Sequence, residues 1–158
     1  MQININTAID IIISILIYIK FIKNKTLINT IMYFYITGVI FFTLMPITTS
    51  LHHIFTQPYK SIHLIPFDDY IHRRGDALRQ IILNIIMMIP FGFLLPQIKK
   101  QNIITITAYT FLFSLAIELT QPLLHMHRAS DITDLITNTI GGIIGYLFYR
   151  FFSKIKPH

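Results

Sequence analysis

Cysteine is absent from the 158 residues, which excludes disulfides, thiolate catalysis and cysteine-ligated metal. Charge is scarce as well. Asp, Glu, Lys and Arg make up 13% of the chain, roughly half the share of a soluble domain, and 53% is hydrophobic. The basic residues behind the net charge of +6 are scattered between apolar stretches, so they do not form the basic surface that nucleic-acid binding needs. No basic residue precedes the first apolar run; Lys20, Lys23 and Lys25 follow it. That pattern reads as a membrane anchor rather than a cleavable signal peptide. No internal repeat and no nucleophile-bearing motif is visible.

What the chain has in quantity is apolar sequence, with a mean hydropathy of +0.59. Five stretches approach the roughly 20 residues that cross a ~30 Å hydrocarbon core: Ile3–Ile19, Leu27–Leu44, Ala77–Leu95, Ile103–Leu119 and Leu135–Phe152. They leave too little chain for a separate soluble domain. The expectation is an all-α, polytopic integral membrane bundle of about five transmembrane helices. It would form a single domain over residues 1–158, with a long outer loop between spans 2 and 3. Placing the N-terminus outside and the C-terminus inside puts eight of the thirteen basic residues on the inner side. All seven acids then fall on the outer side. The membrane would be the bacterial cytoplasmic membrane, crossed several times.

Taken in order, Asp10 sits within the first span, near the outer interface or paired with a neighbouring helix. Residues 47–76 are long for a simple connection, and their alternating pattern suggests a segment lying on the outer leaflet. Pro66 prevents a continuous helix there. Asp68, Asp69, Arg73, Arg74 and Asp76 read most simply as a solvated charge group, with a lid as the functional alternative. The third span carries Asn84 and ends in I-P-F-G-F-L-L-P, where Pro90 bends the helix and Gly92 permits close packing.

The stretch from Glu118 to Gly145 carries most of the chemistry. Glu118 and Gln121 are three apart and share a helix face; Pro122 is expected to stop that helix. Ser130 or Asp131 can cap the next one, the plainer reading of Asp131. Asp131, Asp134 and Asn138 lie at i, i+3 and i+7, on one face. Gly141 and Gly145 form a G-x-x-x-G pair that lets another helix approach. By depth, Asn84, Glu118, Asp134 and Asn138 reach the same outer level of the membrane from three helices. Arg128 can fold back from the loop to pair with the carboxylates, because isolated charges there are costly. His125 and His127, with Asp131, offer metal-type ligands, but an H-x-H in a loop is usually a solvated pair, so no metal and no cofactor is assigned.

In order and spacing these residues resemble the VanZ-like family, over roughly residues 30–150. The resemblance rests on Asn84, Pro90, Phe91 and Gly92, then Glu118 and Gln121, then Arg128, Asp131, Asp134, Asn138, Gly141 and Gly145. Leu64–Phe67 is similar to the family's outer loop. The resemblance implies a multi-span bacterial membrane protein of a family associated with teicoplanin resistance; it implies no established reaction.

Three functions compete. In the first, an outer-face polar pocket binds a lipid-linked cell-wall precursor or other envelope component, or alters how a lipoglycopeptide inserts, and so contributes to teicoplanin tolerance. Its ligand-binding set is Asn84, Glu118, Gln121, Arg128, Asp131, Asp134 and Asn138, with Pro90, Gly92, Gly141 and Gly145 as structural residues. In the second, an intramembrane enzyme acts on a lipid or lipid-linked phosphate, with Glu118 and Asp134 as acid and base. In the third, the cluster only holds helices together. Membrane lipids are partners in all three.

Overall fold

The computed structural model describes residues 5–22, 26–44, 47, 59, 62–124 and 129–155, and among these it is helical without strands. Helix α1 spans Ile5–Ile17 and widens into a π-helical turn over Tyr18–Ile22. Helix α2 spans Leu27–Leu44 and the short α3 spans Asp68–Ile71. Three long helices follow: α4 (Ala77–Ile98), α5 (Ile103–Leu124) and α6 (Ile132–Ile155).

Four of these segments are long and apolar enough to cross a membrane: Ile5–Ile22, Leu27–Leu44, Ala77–Ile98 and Ile103–Leu124. The fifth expected span, Leu135–Phe152, falls within α6 and is not among the four. The fifth segment is a helix of 24 residues, but Asp134, Asn138, Arg150 and Lys154 dilute its apolar character. What α6 has instead is a buried face, with Thr133, Thr137, Asn138 and three glycines among its buried residues. Elsewhere large apolar side chains face outward, including Ile12, Leu16, Phe42 and Ile104. In water such surfaces would drive aggregation; in hydrocarbon they face their natural solvent. The fold is an all-α membrane bundle.

Prolines do not mark the helix ends expected of them. Pro122 lies inside α5, which continues to Leu124, and Pro96 lies inside α4, which continues to Ile98. Each forgoes one intrahelical bond to the carbonyl four residues before it. Membrane helices tolerate that loss because neighbouring helices and side chains can re-satisfy the freed backbone group.

The chain forms two compact units. One contains α1, α2 and the last turns of α5, from Leu119 onward. Here Ser14 Oγ and the Tyr33 hydroxyl hydrogen-bond at 2.8 Å, and Tyr33 also donates to the Ser14 carbonyl. The Tyr18 ring packs against those of Tyr33 and Phe34, with centroids 5.6 and 5.2 Å away. Asp10 is buried, and its Oδ2 accepts the Ile47 N–H at 2.9 Å. A carboxyl group inside the first span thus meets a backbone N–H.

The second unit contains α3, α4, α5 as far as Glu118, and α6. Helices α4 and α6 pack along their length and run parallel: a Cβ on Gly141 would overlap the Ile85 carbonyl, and one on Gly145 the Ile89 carbonyl. Gly92 on α4 is equally constrained by the Gly142 backbone. Helix α5 lies antiparallel to α6, with Thr110 against Gly142 and Ser114 against Asn138. Phe91 and Phe113 stack between α4 and α5 at 5.1 Å.

Candidate functional site at the start of helix α6

The first turn of α6 would expose unpaired N–H groups. Asp131 supplies the cap: its Oδ1 accepts the Thr133 N–H at 2.7 Å. The Asp131 N–H in turn donates to Glu118 Oε2 at 3.1 Å. Glu118 is only 4% exposed, so one buried carboxylate ties the end of α5 to the start of α6. The extended segment before α3 is sewn to the same place. Ile132 donates to the His63 carbonyl at 3.0 Å, and the Phe67 N–H donates to Thr133 Oγ1 at 2.9 Å. Phe67 sits at φ 59°, a left-handed conformation uncommon for a bulky residue and held here by that bond.

These ties frame a small, partly open cleft of about 10 Å³, room for roughly one water molecule. Phe67, Asp69 and Tyr70 line it from the α3 side, Gln80 from α4, and Asp131 and Asp134 from α6. Next to it lies an exposed charge group in which Arg74 bonds Asp68 at 2.7 Å and Asp69 at 3.2 Å, with His72 at 2.9 Å from Asp68. Exposed pairs of this kind contribute little stability.

The polar faces of α4 and α6 continue inward from the cleft. Gln80 and Asp134 face it; one turn deeper on the same helix faces are Asn84 and Asn138. The glycine contacts set these two asparagines at the same level of the parallel α4–α6 pair. Asn138, 1% exposed, donates from Nδ2 to Ser114 Oγ at 2.9 Å. Among the described residues, Asn138 Oδ1 and Asn84 Nδ2 are buried without a hydrogen-bond partner. One is an acceptor and the other a donor. A turn below, Met88 and Thr110 are fully buried, Thr110 against Gly142.

The family model VanZ/LLP1 matches residues 32–153. The chain is similar to Protein VanZ of Enterococcus faecium, 31% identical over 121 residues that cover 76% of this chain and 71% of that protein. The chain belongs to the VanZ/LLP1 family. No solved structure matches it.

Among the candidate residues of this VanZ-family protein, the structure joins Glu118 to Asp131 directly and sets Asp134, Asn84 and Asn138 within two turns of them. Gln121 does not join this group. Its Nε2 reaches toward the Thr43 carbonyl of α2, at 3.5 Å, in the other compact unit. Arg128, the expected counter-charge, lies outside the described residues, as do His125 and His127. Sequence reasoning passed over Ser114, Thr110, Thr133, Gln80 and Tyr70. For two of them a signal existed: Thr110, Ser114 and Glu118 fall at i, i+4 and i+8, a polar stripe along an otherwise apolar span.

Proposed function

We propose that this VanZ-family membrane protein binds a polar head group at the start of α6, on the outer side of the bacterial cytoplasmic membrane, and thereby contributes to tolerance of teicoplanin-type lipoglycopeptides. The single observation that carries this reading is the polar cleft itself: carboxylates and amides from α4 and α6 gather at one end of a helical unit whose outer surfaces are apolar. Polar groups at such a depth are costly and mark a site of use. The family of the chain supplies the antibiotic context, and the reading takes the N-terminus as outside and the C-terminus as inside, which would open the cleft on the outer side.

One observation favours a second role for part of the cluster. Glu118 is engaged by the Asp131 backbone and Asp131 by its own helix, so these two act as the frame. Asp134 and Gln80 line the cleft, with the asparagine pair one turn deeper on the same helices.

The test compares teicoplanin with vancomycin susceptibility in a sensitive Gram-positive host at matched membrane abundance. Wild type should protect selectively against teicoplanin. Asp134→Asn should remove most of that protection, while Glu118→Gln, which keeps an oxygen acceptor for the Asp131 N–H, should retain it. Absence of protection by well-expressed wild type would refute the tolerance reading.

A further inference from the structure

We propose that the start of α4 holds a zwitterionic phospholipid, one whose head group carries both a phosphate and a protonated amine, in a groove separate from the cleft at α6.

The groove has a volume of about 440 Å³, within the roughly 300–1,000 Å³ of small-ligand sites. Gly75, Asp76 and Arg79 line its polar end, and Leu78, Ile82 and Leu83 its apolar wall. Leu78 and Ile82, like Arg79 and Leu83, are four apart, so apolar surface continues down the helix directly below the charged pair. Side chains on a helix lean toward its N-terminus, which carries the Arg79 guanidinium up towards Asp76.

Depth fixes what meets this end. Beyond Arg79 no charged residue follows in α4, and the next is Lys99. The Asp76–Arg79 pair therefore stands at the edge of the span, with the aliphatic wall inside it. Gly75 leaves that edge open, since nothing lies within 4 Å of where its Cβ would stand. Helix α6 packs on another face of α4: Ile85 and Ile89 meet its glycines, whereas Leu78, Ile82, Leu83 and Ile86 are about half exposed.

Charge selects the occupant. Asp76 Oδ2 and Arg79 Nη1 are 3.8 Å apart and their side chains are 76% and 75% exposed, so the pair is weak and exchanges partners at little cost. A phosphate takes the guanidinium in a two-pronged contact, but alone it would also face the Asp76 carboxylate. An ammonium beside that phosphate removes the conflict: it donates to Asp76 while the phosphate accepts from Arg79. From Asp68 to Arg79 three aspartates balance three arginines, so the surroundings add no preference for a net anion. An apolar partner helix would cover the wall and leave both charges unmatched. A phospholipid matches wall and charges together.

The experiment uses the full chain, delipidated in detergent, with retained lipid read by native mass spectrometry. Phosphatidylethanolamine, phosphatidylglycerol, phosphatidylcholine and diacylglycerol of matched acyl chains are titrated. Phosphatidylethanolamine should bind at least about tenfold more tightly than the others. Phosphatidylglycerol lacks the ammonium, that of phosphatidylcholine has no N–H to donate, and diacylglycerol lacks both charges. Arg79→Gln should lower the affinity for phosphatidylethanolamine about tenfold, and Arg79→Lys should restore part of it. Asp76→Asn should erase the preference over phosphatidylglycerol. Both positions are exposed, so the thermal midpoint should stay unchanged in all three variants. Equal binding of the lipids, preference for phosphatidylglycerol, or binding unaffected by Arg79→Gln would overturn the proposal. So would full competition by soluble glycerophosphoethanolamine, which has no chains for the wall. A dimer that Leu83→Gln returns to single chains, with no lipid retained, would assign the face to a second copy and overturn it too. Teicoplanin susceptibility reports on the α6 cleft and lipid retention on this groove, so either can fail without the other.

Discussion

The two compact units solve the same problem differently. In the unit of α1 and α2, the helices are joined by side chains: the Ser14–Tyr33 pair, the Tyr18 ring among its aromatic neighbours, and a carboxylate that accepts one N–H. Gly38 in α2 has nothing within 4 Å of where a Cβ would stand. In the unit of α4, α5 and α6, backbones themselves meet, through Gly92, Gly141, Gly142 and Gly145. Lipid offers helices no hydrophobic reason to associate, so close van der Waals approach and interhelical hydrogen bonds must supply it. The second unit uses both, and the close approach leaves narrow space in which polar groups can be held at fixed positions. That is where the candidate site lies.

The sharpest way to break this contrast is at the glycines. Gly141→Leu or Gly145→Leu drives a side chain into an α4 carbonyl and should destabilise the second unit by at least about 3 kcal/mol, seen as loss of folded protein in the membrane. Gly38→Ala should be silent in the same assay. An equal loss for both would show that the units do not differ as described. A smaller effect is expected for Asp131→Ala, which removes the α6 cap and should cost about 1 kcal/mol, read as a lowered thermal midpoint in detergent. Ser114→Ala removes one interhelical hydrogen bond and should cost about 0.6 kcal/mol, since such bonds in membranes are worth little on average. Asp10→Asn keeps an oxygen for the Ile47 N–H and should shift the midpoint less still. Smallest of all, Arg74→Ala breaks only exposed pairs and should stay within about 0.5 kcal/mol. A larger effect would mean that the charge group beside the cleft is not merely solvated.

Much of the site was legible residue by residue. The cap at Asp131 follows from an acid directly before a helix, and the shared face of Asp134 and Asn138 follows from helical spacing. Gly141 and Gly145 announced a close neighbour, though not which one. Other features misled. Pro122 carries the same local signal as a helix stop, but α5 passes through it. Gln121 shares a face with Glu118, yet it turns to α2. In both cases the outcome depends on groups far away along the chain.

By itself, then, the amino-acid sequence determined the class of this protein: apolar segments of spanning length, too few charges for a soluble surface, and polar residues confined to set positions along helices. Those properties are local, because hydropathy and a 3.6-residue period act over a few turns. Only the tertiary structure decided that α4 and α6 run parallel at glycine contact, that Glu118 is engaged by a backbone N–H, and that Asn84 and Asn138 meet at one depth with a donor and an acceptor left over. The reason is physical. Whether a polar group is satisfied depends on partners 13, 24 or more residues away, and no local pattern specifies which partner arrives.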